Sequence, residues 1–296
     1  MEDELSKVDL LSCDPLVLAK NYNVSITVIH RKVQELKASL TYKSYPVTSL
    51  QTGNEAFDNF AQLKTGYIYE ITGESSSGKS NLLIYLALHL QPSLLLSTEK
   101  LSNRRLHDMS AASGVDTSRV FVRETTDFED LSHVMKYQVP LQVERIGIKT
   151  VLIDSITSNF RGHEASLQQR SKDLAELVST ARQLFTMDVA ILFTNQVSDR
   201  FNHPKDIASL DAQLRFLGSR SKAPALGLVW VNLIDTRIML GRRRGGTRWM
   251  KVLKCPWVAE KSVDFEIQSH GFAIVEKEID GESDGGSDSE VNSEQM

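Results

Sequence analysis

The residues Gly73, Glu74, Ser75, Ser76, Ser77, Gly78, Lys79 and Ser80 stand between two apolar runs, IYEIT before and NLLIYLAL after. A glycine, four residues and then Gly-Lys-Ser between a strand and a helix is the spacing of a phosphate-binding loop. Its glycines let backbone amides wrap round a triphosphate, and the helix N-terminus adds its dipole. Lys79 pairs with the outer phosphates and takes part in the chemistry there, and Ser80 holds a magnesium ion. The expected ligands are therefore ATP and Mg2+, held by residues 73–80 together with Asn81. The alternative is a Ser/Gly-rich surface loop, which has no need of the strand and helix that flank this one.

A strand, loop and helix of this kind belong in a parallel sheet, and the rest of the chain fits one. Short apolar runs predict strands near 67–72, 93–97, 119–123, 149–153 and 188–194. Helical patterns lie between them near 79–90, 101–112, 128–145 and 166–186. Such alternation specifies an α/β fold with a mostly parallel sheet covered on both faces. After Arg237 the pattern changes to antiparallel hairpins: RIML, a GRRRGG turn, TRWMKVLK, then VDFEI and GFAIV joined by QSHG.

Length and composition fit one large core with small appendages, at 296 residues and 41% hydrophobic. The expected divisions are a helical module over 1–40, a linker over 41–51, the ATPase-like core over 52–275 and an acidic tail over 276–296. In the first module, Asp14 and Ser25 are candidate helix caps, and Val28, Ile29, Val33 and Leu36 share an apolar side. Cys13 and Cys255 form no metal or disulfide framework, and no run of 18 apolar residues occurs. The expectation is a soluble, intracellular protein with no membrane partner.

Further residues complete the expected site. Asp154 closes the apolar strand TVLID, where a magnesium-side carboxylate is needed, although a strand-end turn residue would look the same. Glu99 ends SLLLSTE and is the candidate catalytic base that orients the attacking water, or else a solvated glutamate at a helix start. The strand DVAILFTNQ ends in Asn195 and Gln196. A long polar stretch follows, with Arg200, Lys205, Arg215, Arg220 and Lys222 as candidate contacts to a nucleic-acid backbone. Asp199, Asp206 and Asp211 dilute that charge, so a solvated insertion stays open. Arg242, Arg243, Arg244 and Arg248 cluster in and beside the Gly-rich turn, for DNA phosphates or for protection of an edge strand.

QTGNEAFDNF, GESSSGKSNLL, STEKLSNRRL, VLIDSITSNFR, AILFTNQVSD, LGLVWVNLIDTRIML and MKVLKCPWV together resemble the RecA/RadA recombinase family. They run in family order from about residue 47 to 275, and they are most similar to the eukaryotic recombinase-paralog branch, near its fungal mediators. The resemblance implies that Lys79 and Ser80 bind phosphate and magnesium, that Glu99 is the base, that Arg105 stacks near the adenine and that Gln196 senses the γ-phosphate. It also implies that 157–165, with Arg161, and 197–226 are DNA-facing loops. The expected partners are a second recombinase paralog in a heterodimer, the main recombinase filament and single-stranded DNA, in the nucleus. The chain departs from the family pattern at three places. Tyr45-Pro46-Val47-Thr48 stands where a Phe-x-x-Ala plug is usual, FAQLK replaces a Gly-rich turn, and Lys100 replaces the glycine after the catalytic glutamate. Weak, DNA-dependent ATP hydrolysis is the implied activity, and an ATP-locked adaptor is the alternative.

Overall fold

The computed structural model describes residues 15–39, 45–98, 103–158, 167–199, 222–224, 226–243 and 245–275. Glu99, Lys100, Arg161, Arg200, Lys205, Arg215, Arg220, Arg244 and the segment 276–296 lie outside the described residues, and for Lys222 only the backbone is described. The chain divides into two units, Met1–Ser44 and Tyr45–Met296.

In the first unit, helices α1 (Pro15–Asn21) and α2 (Ile26–Ser39) form a hairpin. Asn23 takes a left-handed conformation in its turn, which asparagine tolerates better than most residues. Ser25 Oγ accepts from the Thr27 amide, as an N-terminal cap does. Leu18 and Ile29 are buried together with Tyr22, Val24 and Val33 packed round them, a small core for so short a pair.

The second unit begins with α3 (Glu55–Ala61), followed by β1 (Ile68–Gly73), α4 (Lys79–His89), β2 (Ser93–Ser97), α5 (Asn103–Ser113) and β3 (Val120–Glu124). Next come α6 (Phe128–His133), a π turn at Val134–Gln138, α7 (Val139–Ile146), β4 (Thr150–Asp154), α8 (Leu167–Gln183) with a 3-10 turn at Leu184–Met187, and β5 (Ala190–Asp199). The rest is β6 (Lys222–Pro224), α9 (Gly227–Leu233), β7 (Thr236–Arg242), β8 (Arg248–Lys254), β9 (Lys261–Gln268) and β10 (Gly271–Val275).

Among the described residues the strands make one sheet in the order β10-β9-β8-β7-β1-β5-β4-β2-β3, with β6 paired to β5. The strands from β7 to β3 pair in parallel, and the pairs among β7, β8, β9 and β10 are antiparallel. This is the expected α/β sheet with terminal hairpins. Alternation along the strands divides the core in two. Tyr69, Ile71, Leu95, Leu192 and Leu240 face α4 in one cluster, whereas Ile68, Leu94, Ile153 and Phe193 face α8 and Trp230 in the other.

The expected helix near 128–145 is interrupted. Pro140 lies in the first turn of α7 and cannot donate a backbone hydrogen bond, and the preceding turn widens to a π turn. The strand expected at 188–194 runs instead to Asp199, because β6 pairs with its end through Val197 and Pro224. The short helices α3 and α9 were not anticipated by the apolar periodicity.

The segment before α3 is tied to the core by Asp188. Its carboxylate accepts from Thr48 Oγ1 at 3.1 Å, from Lys149 Nζ at 2.5 Å and from Thr65 Oγ1. Partial burial pushes the Asp188 carboxyl up, but these donors and the Lys149 charge together hold it below the usual carboxylate range. A carboxyl lowered on folding adds stability that is complete above its unfolded pKa of about 3.9 and is lost as pH falls through its folded value. Acid melts of the protein should therefore show a loss of stability below about pH 3.9 that Asp188→Asn removes. Parallel acid profiles for parent and variant would refute this anchoring role.

Candidate functional site

The parallel register brings the carboxyl-terminal parts of five strands level. Gly73 of β1 lies level with Gln196 of β5 on one side and with Leu240 of β7 on the other. Asp154 of β4 lies level with Ser97 of β2. A polar cavity of about 360 Å³ opens there, at the carboxyl ends of the strands, where α/β sheets hold ligands.

The loop of residues 73–80 forms its floor. Gly73 can carry no side chain, because a Cβ would come within 2.3 Å of the Leu240 carbonyl oxygen. Gly78 caps α4 with φ +111°, a conformation that L side chains rarely adopt, and a Cβ there would press on Ile267 at 3.1 Å. Lys79 is buried at the start of α4, and its Nζ donates to the carbonyls of Gly73 and Glu74 at 2.9 and 2.7 Å. Ser75, Ser76, Ser80 and Asn81 line the same cavity, and Ser77 lies buried behind it with a hydroxyl that has no hydrogen-bond partner among the described residues.

The opposite wall is made by β4 and β5. Asp154 lines the cavity, and its Oδ1 accepts from Thr194 Oγ1 at 2.5 Å. Gln196 lines it too, and its backbone amide donates to Thr157 Oγ1 at 3.1 Å. Thr98 closes β2 with its amide on the Asp154 carbonyl, so the chain passes beside Asp154 just before Glu99. Arg105 on α5 reaches the edge of this region: its Nε donates to Asn81 Oδ1 at 2.7 Å and its Nη2 to the Gln268 carbonyl at 2.8 Å.

A buried polar network that sequence reasoning missed lies beneath Gln196. Thr157 Oγ1 donates to Asn195 Oδ1 at 2.6 Å, and Asn195 Nδ2 donates to Glu70 Oε1 at 2.6 Å. Glu70 also accepts from Trp230 Nε1 at 2.9 Å and forms an ion pair with Arg237. Both charged side chains are almost wholly buried, Glu70 at 0% and Arg237 at 1% exposure. A glutamate inside IYEIT and an arginine inside TRIML were the available signal, since a charge in a run buried on both faces needs a partner.

The basic hairpin resolves into different surroundings. Arg242 is exposed, and Arg243 donates to Asp264 of β9 at 2.5 Å. Arg248 instead lines the cavity together with Ile267.

The donor set suits a nucleotide with magnesium. A loop of amides, a buried lysine and an orphan buried serine hydroxyl match a polyphosphate, and Ser80 with Asp154 supplies oxygens of the kind a hard divalent cation takes.

Comparison with known proteins shows the family. The family model described as Rad51 matches residues 107–275, more than half of the 296-residue chain, and its span includes Asp154, Gln196 and the terminal hairpins. The chain is similar to DNA repair protein rhp57 of Schizosaccharomyces pombe, at 29% identity over 291 residues, covering 80% of this chain and 82% of that protein. It is 25% identical over 283 residues to the DNA repair protein XRCC3 homolog of Arabidopsis thaliana, covering 77% of this chain and 93% of that one. DNA repair protein RAD57 of Saccharomyces cerevisiae is 28% identical over 232 residues, covering 65% of this chain and 50% of that protein. A mostly parallel sheet of this order, ending in antiparallel hairpins and matched over more than half of its length, makes the chain a member of the Rad51 family.

Proposed function

We propose that this chain is an ATP-binding recombinase paralog that acts as a mediator in homologous-recombination repair of DNA double-strand breaks. The observation that carries this is the convergence of the phosphate loop, Asp154 and Gln196 on one cavity in a chain whose relatives are named DNA repair proteins. In this reading it pairs with a second paralog and assists the main recombinase filament on single-stranded DNA, in the nucleus. Among the described residues no helix is long and apolar enough to cross a membrane.

Residues 73–81 hold the phosphates, with Lys79 as their principal cation. Ser80 and Asp154 hold the magnesium ion, Arg105 borders the adenine, Gln196 senses the outer phosphate and Glu99 orients water as the base. Bound there, ATP with its magnesium ion supplies a contact that exists before hydrolysis and is lost after it. Gln196 is well placed to respond, because its backbone is fixed by Thr157 on the wall facing the loop. Arg161, Arg200, Lys205, Arg215, Arg220, Lys222 and the hairpin arginines are the DNA-facing set.

One observation favours the second reading, an ATP-locked adaptor that works only by binding partners. Arg243 is already engaged by Asp264 on the adjacent strand, as a charge that shields a sheet edge would be. ATP turnover and DNA binding, each measured with and without the other ligand, separate the two. The mediator predicts turnover raised by single-stranded DNA, and DNA affinity that falls with salt by roughly 0.7 log units per log unit for each phosphate contact. Replacing Arg242, Arg243 and Arg244 with alanine should flatten that slope, with Arg243 contributing least because it must first leave Asp264. No turnover and an unaltered slope would favour the adaptor.

A further inference from the structure

The three described arginines of the hairpin, Arg242, Arg243 and Arg248, differ in more than exposure. Along β8, Arg248, Met250 and Val252 alternate with Trp249 and Lys251, so they share one face of the sheet. Met250 and Val252 belong to the core cluster under α4, and Trp249 points the other way, packed over Gly241, where a Cβ would come within 2.3 Å of its ring. Arg248 therefore prolongs the α4-facing row beyond the end of the core, toward the phosphate loop.

The pairing of β8 with β9 fixes what stands beside it. Arg248 lies opposite Phe265, and Phe265 and Ile267 are the side chains that a Cβ on Gly78 would meet, at 3.6 and 3.1 Å. Arg248 lines the cavity beside Ile267, and its Nε is buried with no hydrogen-bond partner among the described residues. A guanidinium stays charged at any pH a protein experiences, and a buried N–H on it that lacks an acceptor is costly. An anion seated on the loop would meet that need.

The sheet order places this cation. β1 carries the loop, with β5 and β4 on one side and β7, β8 and β9 on the other. Asp154 and Gln196 thus approach from the metal side, and Arg248 from the opposite one. We infer that Arg248 is a nucleotide-binding residue that pairs with the inner phosphates, those common to ADP and ATP, and is not part of the DNA-facing hairpin. This rests on the phosphate-binding reading of the cavity.

Equilibrium titration with magnesium ADP and magnesium ATP, on Arg248→Gln, Arg248→Lys and Lys79→Ala beside the parent, tests it. Arg248→Gln should weaken ADP and ATP by a similar factor of about ten or more, the scale of a lost charge-assisted hydrogen bond. Arg248→Lys should recover part of that affinity, because it restores the charge without the planar fork. Unchanged affinity in Arg248→Gln, a loss confined to ATP, or no recovery with lysine would each overturn the assignment. If Lys79→Ala also binds normally, the phosphate reading of the cavity fails as a whole. If Lys79→Ala loses binding while Arg248→Gln does not, only the role of Arg248 falls.

Discussion

Glu70→Ala is expected to cost the core about 3–5 kcal/mol, the scale of breaking a buried ion pair by removing one partner. The cost comes from what stays behind. Arg237 keeps its charge at 1% exposure, and Trp230 Nε1 and Asn195 Nδ2 lose the acceptor they share. In a unit of this size such a loss lowers the melting temperature by about 6–20 °C. A double replacement, Glu70→Leu with Arg237→Met, should recover much of it, since apolar residues of similar volume often match or exceed a buried ion pair. Thermal melts of the three proteins decide this. A single variant as stable as its parent would show that water or a side-chain shift satisfies Arg237.

Lys79→Ala should lower nucleotide affinity by about 100-fold or more, because several charge-assisted contacts to phosphate vanish together. Its effect on folding should be small, under about 1 kcal/mol. Two of the hydrogen bonds it loses end on the Gly73 and Glu74 carbonyls, and Lys79 itself lines the cavity, where water can replace the ammonium. Glu70→Ala and Lys79→Ala thus separate stability from ligand binding, though they stand only nine positions apart. Titration of Lys79→Ala with ATP and magnesium checks the prediction, and parent-like affinity would remove Lys79 from the role proposed for it.

The legible parts of the fold were those with short-range signatures. Gly73 to Ser80 announced itself by spacing, the strands by apolar runs, and the terminal hairpins by the glycines of GRRRGG and QSHG. What sequence could not convey was pairing across long separations. Glu70 and Arg237 stand 167 residues apart, and nothing local to either one names the other. Helix α9 was hidden for a related reason: its valines favour strands, and the burial of Trp230 against Phe193 overrides that preference. Arg248 looked like its hairpin neighbours because adjacency in sequence says little about side-chain direction. Only the alternation of β8, once its register with β9 was fixed, puts it in the row of Met250 and Val252 and away from Trp249.

Gly73 sits at the point where β1 ends, paired to β5 on one flank and to β7 on the other, with no room for a single added carbon. Mechanically this is a built-in end. A displacement of either neighbouring strand is delivered to the root of the 73–80 loop without slack, whereas residues 74–77 extend from it like a cantilever toward the start of α4, whose Lys79 ties back to the Glu74 carbonyl. The stiffness of the seam between β1 and β7 therefore sets how accurately the loop amides can be aimed, even though neither strand supplies a side chain to that task.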